Sequence, residues 1–239
     1  MRNNIACASK VKLLIGRIEF LIAILVPMIL ESAAKFYTRR NKGDKLPPGS
    51  YLSETTPNVS DEKAPGTTWS RYGGLIGHWI GDLSIFGFVI IYTLFFFLPS
   101  IDLYRFISPL IIDLPPMVNW IGIAGMWMIY ALGAWILKYN VNFTACTQPM
   151  KARYVLATGG PYSYVRHPVY LRHSLGIIFA FLATGIWINI FGVVSWFALM
   201  DQAKAEEVVL VRRFGKIYSD YMGKTGRFFP KLHASNLDN

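Results

Sequence analysis

Two groups of charged residues, separated by an apolar run, are the part of this chain that could do chemistry. The first group lies in the segment 159–170, which reads GGPYSYVRHPVY and contains an arginine and a histidine. The second is the pair Glu206 and Glu207, which follows the apolar run 169–200. Cations and carboxylates gathered at the edge of a membrane would hold a small, charged, water-soluble cofactor beside a lipid-like substrate.

Arg166 and His167 are predicted to lie at the start of a helix. The preceding Gly-Gly-Pro turn ends any earlier helix, since glycine and proline favour turns. Pro168 disfavours a helical conformation at His167 and is itself well accommodated at the first helical position. Free backbone N–H groups at a helix start attract anions. The alternative roles are a headgroup anchor for Arg166 and a capping or packing role for His167.

Glu206 and Glu207 are predicted to lie at the membrane interface. On a helix that continues past Met200, Glu206 would lie about 9 Å further along the axis. The positions four residues later are Leu210 and Val211, so neither glutamate has a basic partner at that spacing. Neighbouring helical residues point about 100° apart, so one carboxylate can face inward while the other faces water. The alternative is an ordinary solvated helix face.

The composition indicates an all-α, multi-pass membrane bundle with four or five spans. Hydrophobic residues make up 53% of the 239 residues and charged residues only 16%, against roughly a quarter in ordinary globular domains. Met117–Leu137 and Leu83–Leu98 are predicted spans, and 169–200 is predicted to form a helical hairpin that turns near Gly185. Whether Leu13–Leu30 also spans is left open, because two charges interrupt it.

The basic residues suggest an orientation and a division of the chain. They are frequent in 138–172 and in the tail after 204, which the positive-inside rule places in the cytoplasm together with the candidate site. We expect an N-terminal region, 1–150, of transmembrane helices with a long polar, partly disordered loop at 31–72. Residues 151–239 would form the cofactor-binding region. The net charge of +10 suits anionic lipid headgroups, and no nucleic-acid motif or metal-ligand spacing is present.

The ordered motifs of the C-terminal third resemble the isoprenylcysteine carboxyl methyltransferase family, and the tail looks closest to its prokaryotic members. The order is Gly-Pro-Tyr, Arg-His-Pro-x-Tyr, a helical hairpin, Glu-Glu, Phe-Gly-x-x-Tyr-x-x-Tyr and a terminal Phe-Pro. The matching residues are Gly160, Pro161, Tyr162, Arg166, His167, Pro168, Tyr170, Glu206, Glu207, Phe214, Gly215, Tyr218, Tyr221, Phe229 and Pro230. Two positions depart from the pattern: Tyr154, where many relatives have His, and Arg172, where a small Gly is common near the acceptor path.

The resemblance implies an integral-membrane enzyme that uses S-adenosylmethionine. Arg166 and His167 would then engage the cofactor carboxylate, and Glu206 or Glu207 its ammonium group, with Arg166 and both glutamates as the candidate catalytic residues. The cofactor-binding set would comprise Val155, Leu156, Gly160, Pro161, Tyr162, Arg166, His167, Tyr170, Glu206 and Glu207.

The acceptor and the oligomeric state are left open by the sequence. A prenylcysteine-like carboxylate, a lipid amine and a small thiol are all compatible with the pattern. Two other functions remain as alternatives, an intramembrane NADPH-dependent reductase of the sterol reductase type and a non-catalytic membrane scaffold or transporter.

Overall fold

The computed structural model describes residues 25–40, 46–54, 66–76, 79, 108–142 and 153–231, and this part of the chain is mostly helical. A helical segment at 68–76 and three 3-10 helices, Ser108–Leu110, Gly160–Ser163 and Trp187–Val193, accompany the longer elements. Those elements are α1 (Val26–Arg40), β1 (Ser50–Glu54), α2 (Pro116–Tyr139), β2 (Arg153–Ala157), α3 (Pro168–Thr184), α4 (Val194–Phe214) and α5 (Lys216–Lys224).

Helix α2 confirms the predicted apolar helix at Met117–Leu137. Pro116 occupies the first turn, where its missing N–H costs nothing, and the helix ends at Tyr139 with Asn140 as its C-cap. Within the described part of the chain, α2 is the helix long and apolar enough to cross a membrane. The predicted span Leu83–Leu98 and residues 13–24 of the first apolar region lie outside the described residues.

Helices α2 and α3 pack closely because α2 has glycine where α3 approaches. A Cβ atom at Gly122 would lie 2.2 Å from the backbone N of Ala183, and one at Gly125 would lie 2.1 Å from the ring of Phe179. The Asn119 side chain donates a hydrogen bond to the carbonyl of Leu182 at 3.1 Å. Small residues and interhelical hydrogen bonds are typical of helix pairs in membranes, where apolar side chains gain little by leaving lipid.

The predicted hairpin is confirmed at Gly185. This residue ends α3 in a left-handed conformation, with φ 70° and ψ 5°, which glycine adopts without strain. The following 3-10 helix folds back onto α3, since a Cβ at Gly192 would lie 2.9 Å from the side chain of Ile177. The chain continues into α4, which runs without interruption to Phe214 and therefore carries both glutamates.

A two-stranded antiparallel sheet is the exception to the predicted all-α fold. Strand β1 pairs with β2 in a register that places Leu52 opposite Val155. The expectation of an irregular loop at 31–72 is therefore wrong in several places: α1 extends to Arg40, β1 occupies Ser50–Glu54, and residues 68–72 are helical. The pairing joins segments about 100 residues apart, so no local sequence pattern predicts it.

Candidate functional site

The segment that carries Arg166 and His167 is fixed by the C-terminal tail. His167 is the N-cap of α3, and Pro168 occupies its first turn, as the sequence predicted. The backbone N–H of Arg166 donates to the carbonyl of Gly226 at 2.9 Å, and that of His167 donates to the carbonyl of Arg227 at 3.1 Å. The residues before α3 and the tail after α5 therefore lie side by side.

Three basic side chains converge on Glu207. Its Oε1 atom accepts hydrogen bonds from Arg166 Nε at 2.9 Å and Arg227 Nε at 3.0 Å, and lies 3.2 Å from His167 Nε2. Its Oε2 atom accepts from Arg227 Nη2 at 2.6 Å. The residue is only 3% exposed, so this carboxylate is a buried anion held almost entirely by protein donors.

The charges around Glu207 keep it ionised. Burial alone would raise the pKa of Glu207, but hydrogen bonds from His167, Arg227 and Arg166 outweigh that effect and hold the pKa well below its usual range. The same contact, reinforced by the negative charge of Glu207, raises the pKa of Arg227. Glu207 therefore provides a permanent negative centre that joins the start of α3, the helix α4 and the tail.

Arg166 also has a structural role. Besides Glu207, its Nη1 atom donates to the carbonyl of Met222 at 3.3 Å and to the carbonyl of Thr225. The side chain is 7% exposed. A charge-assisted contact with three different segments makes Arg166 a link between α3, α4 and the end of α5.

Glu206 has a different environment from its neighbour. Its side chain is 19% exposed, and its Oε1 atom accepts hydrogen bonds from the Tyr170 hydroxyl and from Gln202 Nε2 at 3.4 Å. Within the described part of the chain, His167 is the basic residue that reaches it, at 3.7 Å between Nδ1 and Oε2. Neutral donors thus supply its close contacts, so its negative charge is less compensated than that of Glu207.

His167 lies between the two carboxylates. Its Nε2 atom faces Glu207 and its Nδ1 atom faces Glu206. The imidazole stacks on the ring of Tyr170, with centroids 5.5 Å apart and planes 5° apart. The histidine therefore couples the buried glutamate to the more accessible one, and Tyr170 fixes the plane of its ring.

A fully buried polar pair, Gln202 and Ser70, lies next to Glu206. Gln202, one turn earlier on α4, is 0% exposed and accepts a hydrogen bond from the Ser70 hydroxyl at 3.2 Å. Gly66 has φ +96°, and a Cβ there would lie 2.3 Å from the Gln202 side-chain oxygen. Residues 66–70 therefore pack against the amide that contacts Glu206.

The residues predicted to bind adenosine form a second group, on β2 and the turn that follows it. Val155, Leu156, Pro161 and Tyr162 are buried, and Gly160 has φ +59° with its backbone against the ring of Tyr139. The Asn142 side chain accepts from the backbone N–H of Val155 at 3.0 Å and donates to its carbonyl. Both backbone groups of Val155 are thus occupied, and only its side chain is left to contact a ligand.

Tyr162 connects this loop to the surrounding helices. Its hydroxyl accepts from the Asn140 side chain at 2.8 Å, and its carbonyl accepts from the Tyr221 hydroxyl at 2.6 Å. Burial raises the pKa of Tyr162 and that of Tyr154, and the negative charge of Glu206 adds to both shifts.

The structure therefore brings the predicted residues into two neighbouring groups. Arg166, His167, Tyr170, Glu206 and Glu207 form one hydrogen-bonded cluster, although Glu206 and Glu207 lie at least 36 residues after the others in the chain. The loop from Val155 to Tyr162 forms the other group. Sequence reasoning missed the contributions of Arg227, Gln202, Asn140 and Asn142. The only available signal was the position of Arg227 just before the terminal Phe-Pro.

Arg172, one of the two departures from the family pattern, is held in an ion pair. Its Nη2 atom lies 2.6 Å from Glu31 Oε2, and its Nε atom donates to the carbonyl of Ile129 at 3.0 Å. A Cβ at Gly133 would lie 2.6 Å from both Arg172 Nε and Glu31 Oε1, so glycine leaves the room that the pair needs. The pair joins α1, α2 and α3.

Two comparisons with known proteins match part of this chain. The model of the phospholipid methyltransferase family matches residues 117–217. A protein-S-isoprenylcysteine O-methyltransferase from Dictyostelium discoideum is 35% identical over 95 residues, which cover 38% of this chain and 40% of that relative. These findings confirm the resemblance to the isoprenylcysteine carboxyl methyltransferase family, and the segment 117–217 that matches the phospholipid methyltransferase family includes Arg166, His167, Tyr170, Glu206 and Glu207.

Proposed function

We propose that the protein is an integral-membrane, S-adenosylmethionine-dependent methyltransferase that acts on a lipophilic or membrane-associated acceptor. The observation that carries the proposal is the convergence of Arg166, His167, Tyr170, Glu206 and Glu207 in one hydrogen-bonded cluster. The match to the phospholipid methyltransferase family and the identity to an isoprenylcysteine methyltransferase support it.

Glu206 is the carboxylate best suited to bind a cation. Glu207 already has two guanidinium groups and an imidazole, whereas the close partners of Glu206 are a hydroxyl and an amide. A positively charged group placed beside Glu206 would add a charge-assisted hydrogen bond without breaking an existing ion pair. The carboxylate oxygens of Glu206 can accept hydrogen bonds from the ammonium group of the cofactor, and we assign that contact to Glu206.

The cofactor carboxylate is assigned to Arg166 and His167, as the resemblance implies. Both are already in contact with Glu207, so a ligand carboxylate would share their donors with it. Glu207 and Arg227 keep these side chains in place in the absence of ligand. The loop from Val155 to Tyr162 would hold the adenosine, with Leu156, Gly160 and Pro161 beside it.

The bound cofactor would supply an electrophilic methyl group on a sulfonium centre. The protein's own contribution is to hold acceptor and methyl in line at about 3–3.5 Å and to exclude water. A carboxylate or thiolate acceptor needs no general base, because it is already anionic. An amine acceptor would have to lose a proton before or during the transfer.

The proposed membrane arrangement is multi-pass with the cofactor site on the cytoplasmic side. The apolar helix α2 and the hairpin formed by α3 and the first part of α4, up to Met200, would lie in the bilayer, with the glutamates at the interface and the basic tail beside anionic headgroups. Residues 1–150 would supply the N-terminal helices, and residues 151–239 the cofactor region. The acceptor would reach the methyl group laterally from the lipid, between helices.

The acceptor can be identified by transfer of a labelled methyl group from S-adenosylmethionine. The purified protein in detergent or vesicles is incubated with membrane lipids, prenylated cysteine peptides and small thiols in separate reactions. We expect label in one class, and its loss with Glu206→Gln. Absence of transfer to all three classes, by protein that binds the cofactor, would contradict the proposed acceptor range.

A further inference from the structure

We infer that residues 46–54, here called the strap, position the proposed adenosine-binding loop and thereby set the affinity for the cofactor, with Gly49 as the critical positioning residue. The strap comes from the polar region between α1 and the helical segment at 68–76, far in sequence from the site. This inference rests on the proposed function, because it assigns a role to the strap within the same site.

The first residues of the strap are hydrogen-bonded to the loop. The carbonyl of Gly49 accepts from the backbone N–H of Thr158 at 2.7 Å and from the Thr158 hydroxyl at 2.8 Å. The ladder then continues along β1 and β2, from Ser50 opposite Ala157 to Glu54 opposite Arg153. The strap therefore fixes the backbone of the strand up to the residue before the Gly-Gly-Pro turn.

The two backbones also approach too closely for side chains. Gly49 has φ +69°, and a Cβ there would lie 2.9 Å from the backbone N of Gly159. A Cβ at Gly159 would lie 2.3 Å from the carbonyl oxygen of Pro48. A non-glycine residue at 49 would thus be strained in its own conformation and would also push the loop away.

The opposite side of the loop is held by the end of α2. A Cβ at Gly160 would lie 2.4 Å from the ring of Tyr139, and the Asn142 side chain binds Val155 on the edge of β2 that faces away from β1. The loop is therefore clamped between the strap and α2. Holding a binding loop in one conformation lowers the entropy lost on binding, so release of one side should weaken cofactor binding.

The test compares Gly49→Val with a control at Gly223, Gly223→Ala, where an added Cβ meets nothing within 4 Å. Affinity for S-adenosylhomocysteine is measured by calorimetry on the full chain in detergent, and folding is followed by the thermal transition. We expect Gly49→Val to weaken binding at least tenfold and Gly223→Ala to leave it unchanged. Equal affinities in folded protein would overturn the inference.

A second variant covers the case in which Gly49→Val does not fold. Thr158→Val removes one hydrogen bond to the Gly49 carbonyl without backbone strain, and we expect it to weaken binding about 2- to 10-fold. Wild-type affinity in Thr158→Val would count against the role of the strap.

Hydrogen exchange separates this inference from the proposed function. The amide of Thr158 should exchange slowly in the wild type, and faster in Gly49→Val or Thr158→Val than in Gly223→Ala. If the two variants lose this protection but the wild type itself does not bind S-adenosylhomocysteine, the strap contact is supported and the proposed function is refuted. Unchanged protection in the variants would remove the strap contact itself.

Discussion

The adjacent residues Glu206 and Glu207 should respond differently to substitution by glutamine. Glu207 is 3% exposed and bonded to Arg166, His167 and Arg227, so Glu207→Gln leaves buried cations without their anion. Breaking a buried pair in this way costs about 3–5 kcal/mol. For a chain of this size that corresponds to a fall in melting temperature of about 6–20 °C.

Glu206→Gln should instead lower cofactor affinity with little effect on folding. The glutamine keeps an oxygen that can accept from Tyr170, and the site is partly exposed, so we expect the stability to change by less than about 1 kcal/mol. A hydrogen bond to a charged ligand group contributes about 1.5–3 kcal/mol, which corresponds to a loss of about 10- to 100-fold in affinity.

Both effects can be measured on the same detergent-solubilised samples. Thermal unfolding gives the melting temperature, and calorimetry with S-adenosylhomocysteine gives the affinity. Glu207→Gln should mainly lower the melting temperature, and Glu206→Gln should mainly lower the affinity. A melting temperature unchanged in Glu207→Gln, or an affinity unchanged in Glu206→Gln, would refute the division of roles between the two carboxylates.

Three further predictions concern pH and packing. The pKa of Glu207 is depressed in the folded state, so the stability that its charge contributes is complete above the ordinary pKa of 4.5 and is lost as pH falls below that value. The melting temperature of the wild type should therefore fall more steeply between pH 5 and 3 than that of Glu207→Gln. Equal slopes would exclude this linkage. Gly122→Ala should push α2 and α3 apart, because its Cβ would lie 2.2 Å from the backbone N of Ala183, and should destabilise the protein by about 1–3 kcal/mol. Gly176→Ala, whose nearest added contact is 3.6 Å, should not, and equal melting temperatures would contradict the close packing. Asn142→Leu should leave both backbone groups of Val155 unpaired, at a cost of about 1–3 kcal/mol each, and unchanged thermal stability would show that the side chain does not hold the strand.

The sequence predicts correctly those elements that are determined by residues a few positions away. Pro168 fixes the start of α3 and therefore the position of His167 as its N-cap. Gly185 ends the same helix because it can adopt a positive φ. The length and apolar character of α2 follow directly from an uninterrupted run of uncharged residues. In each case the signal lies within a few residues of the feature it predicts.

Contacts between distant segments were not predictable in this way. Arg227 belongs by sequence to a basic tail, and only the approach of that tail to residues 165–167 makes it a partner of Glu207. The strand Ser50–Glu54 is short and lies in a polar region, and its partner is about 100 residues away. The two glutamates were recognised as candidates, but their different partners depend on tertiary packing.

The central claim is tested most directly by calorimetry of the purified full chain with S-adenosylhomocysteine and, separately, with NADPH. The account predicts saturable binding of S-adenosylhomocysteine, weakened at least tenfold by Glu206→Gln, and no binding of NADPH. Binding of NADPH alone would favour a reductase of the sterol reductase type, and binding of neither ligand by folded protein would favour a non-catalytic role. Either result would contradict a membrane methyltransferase.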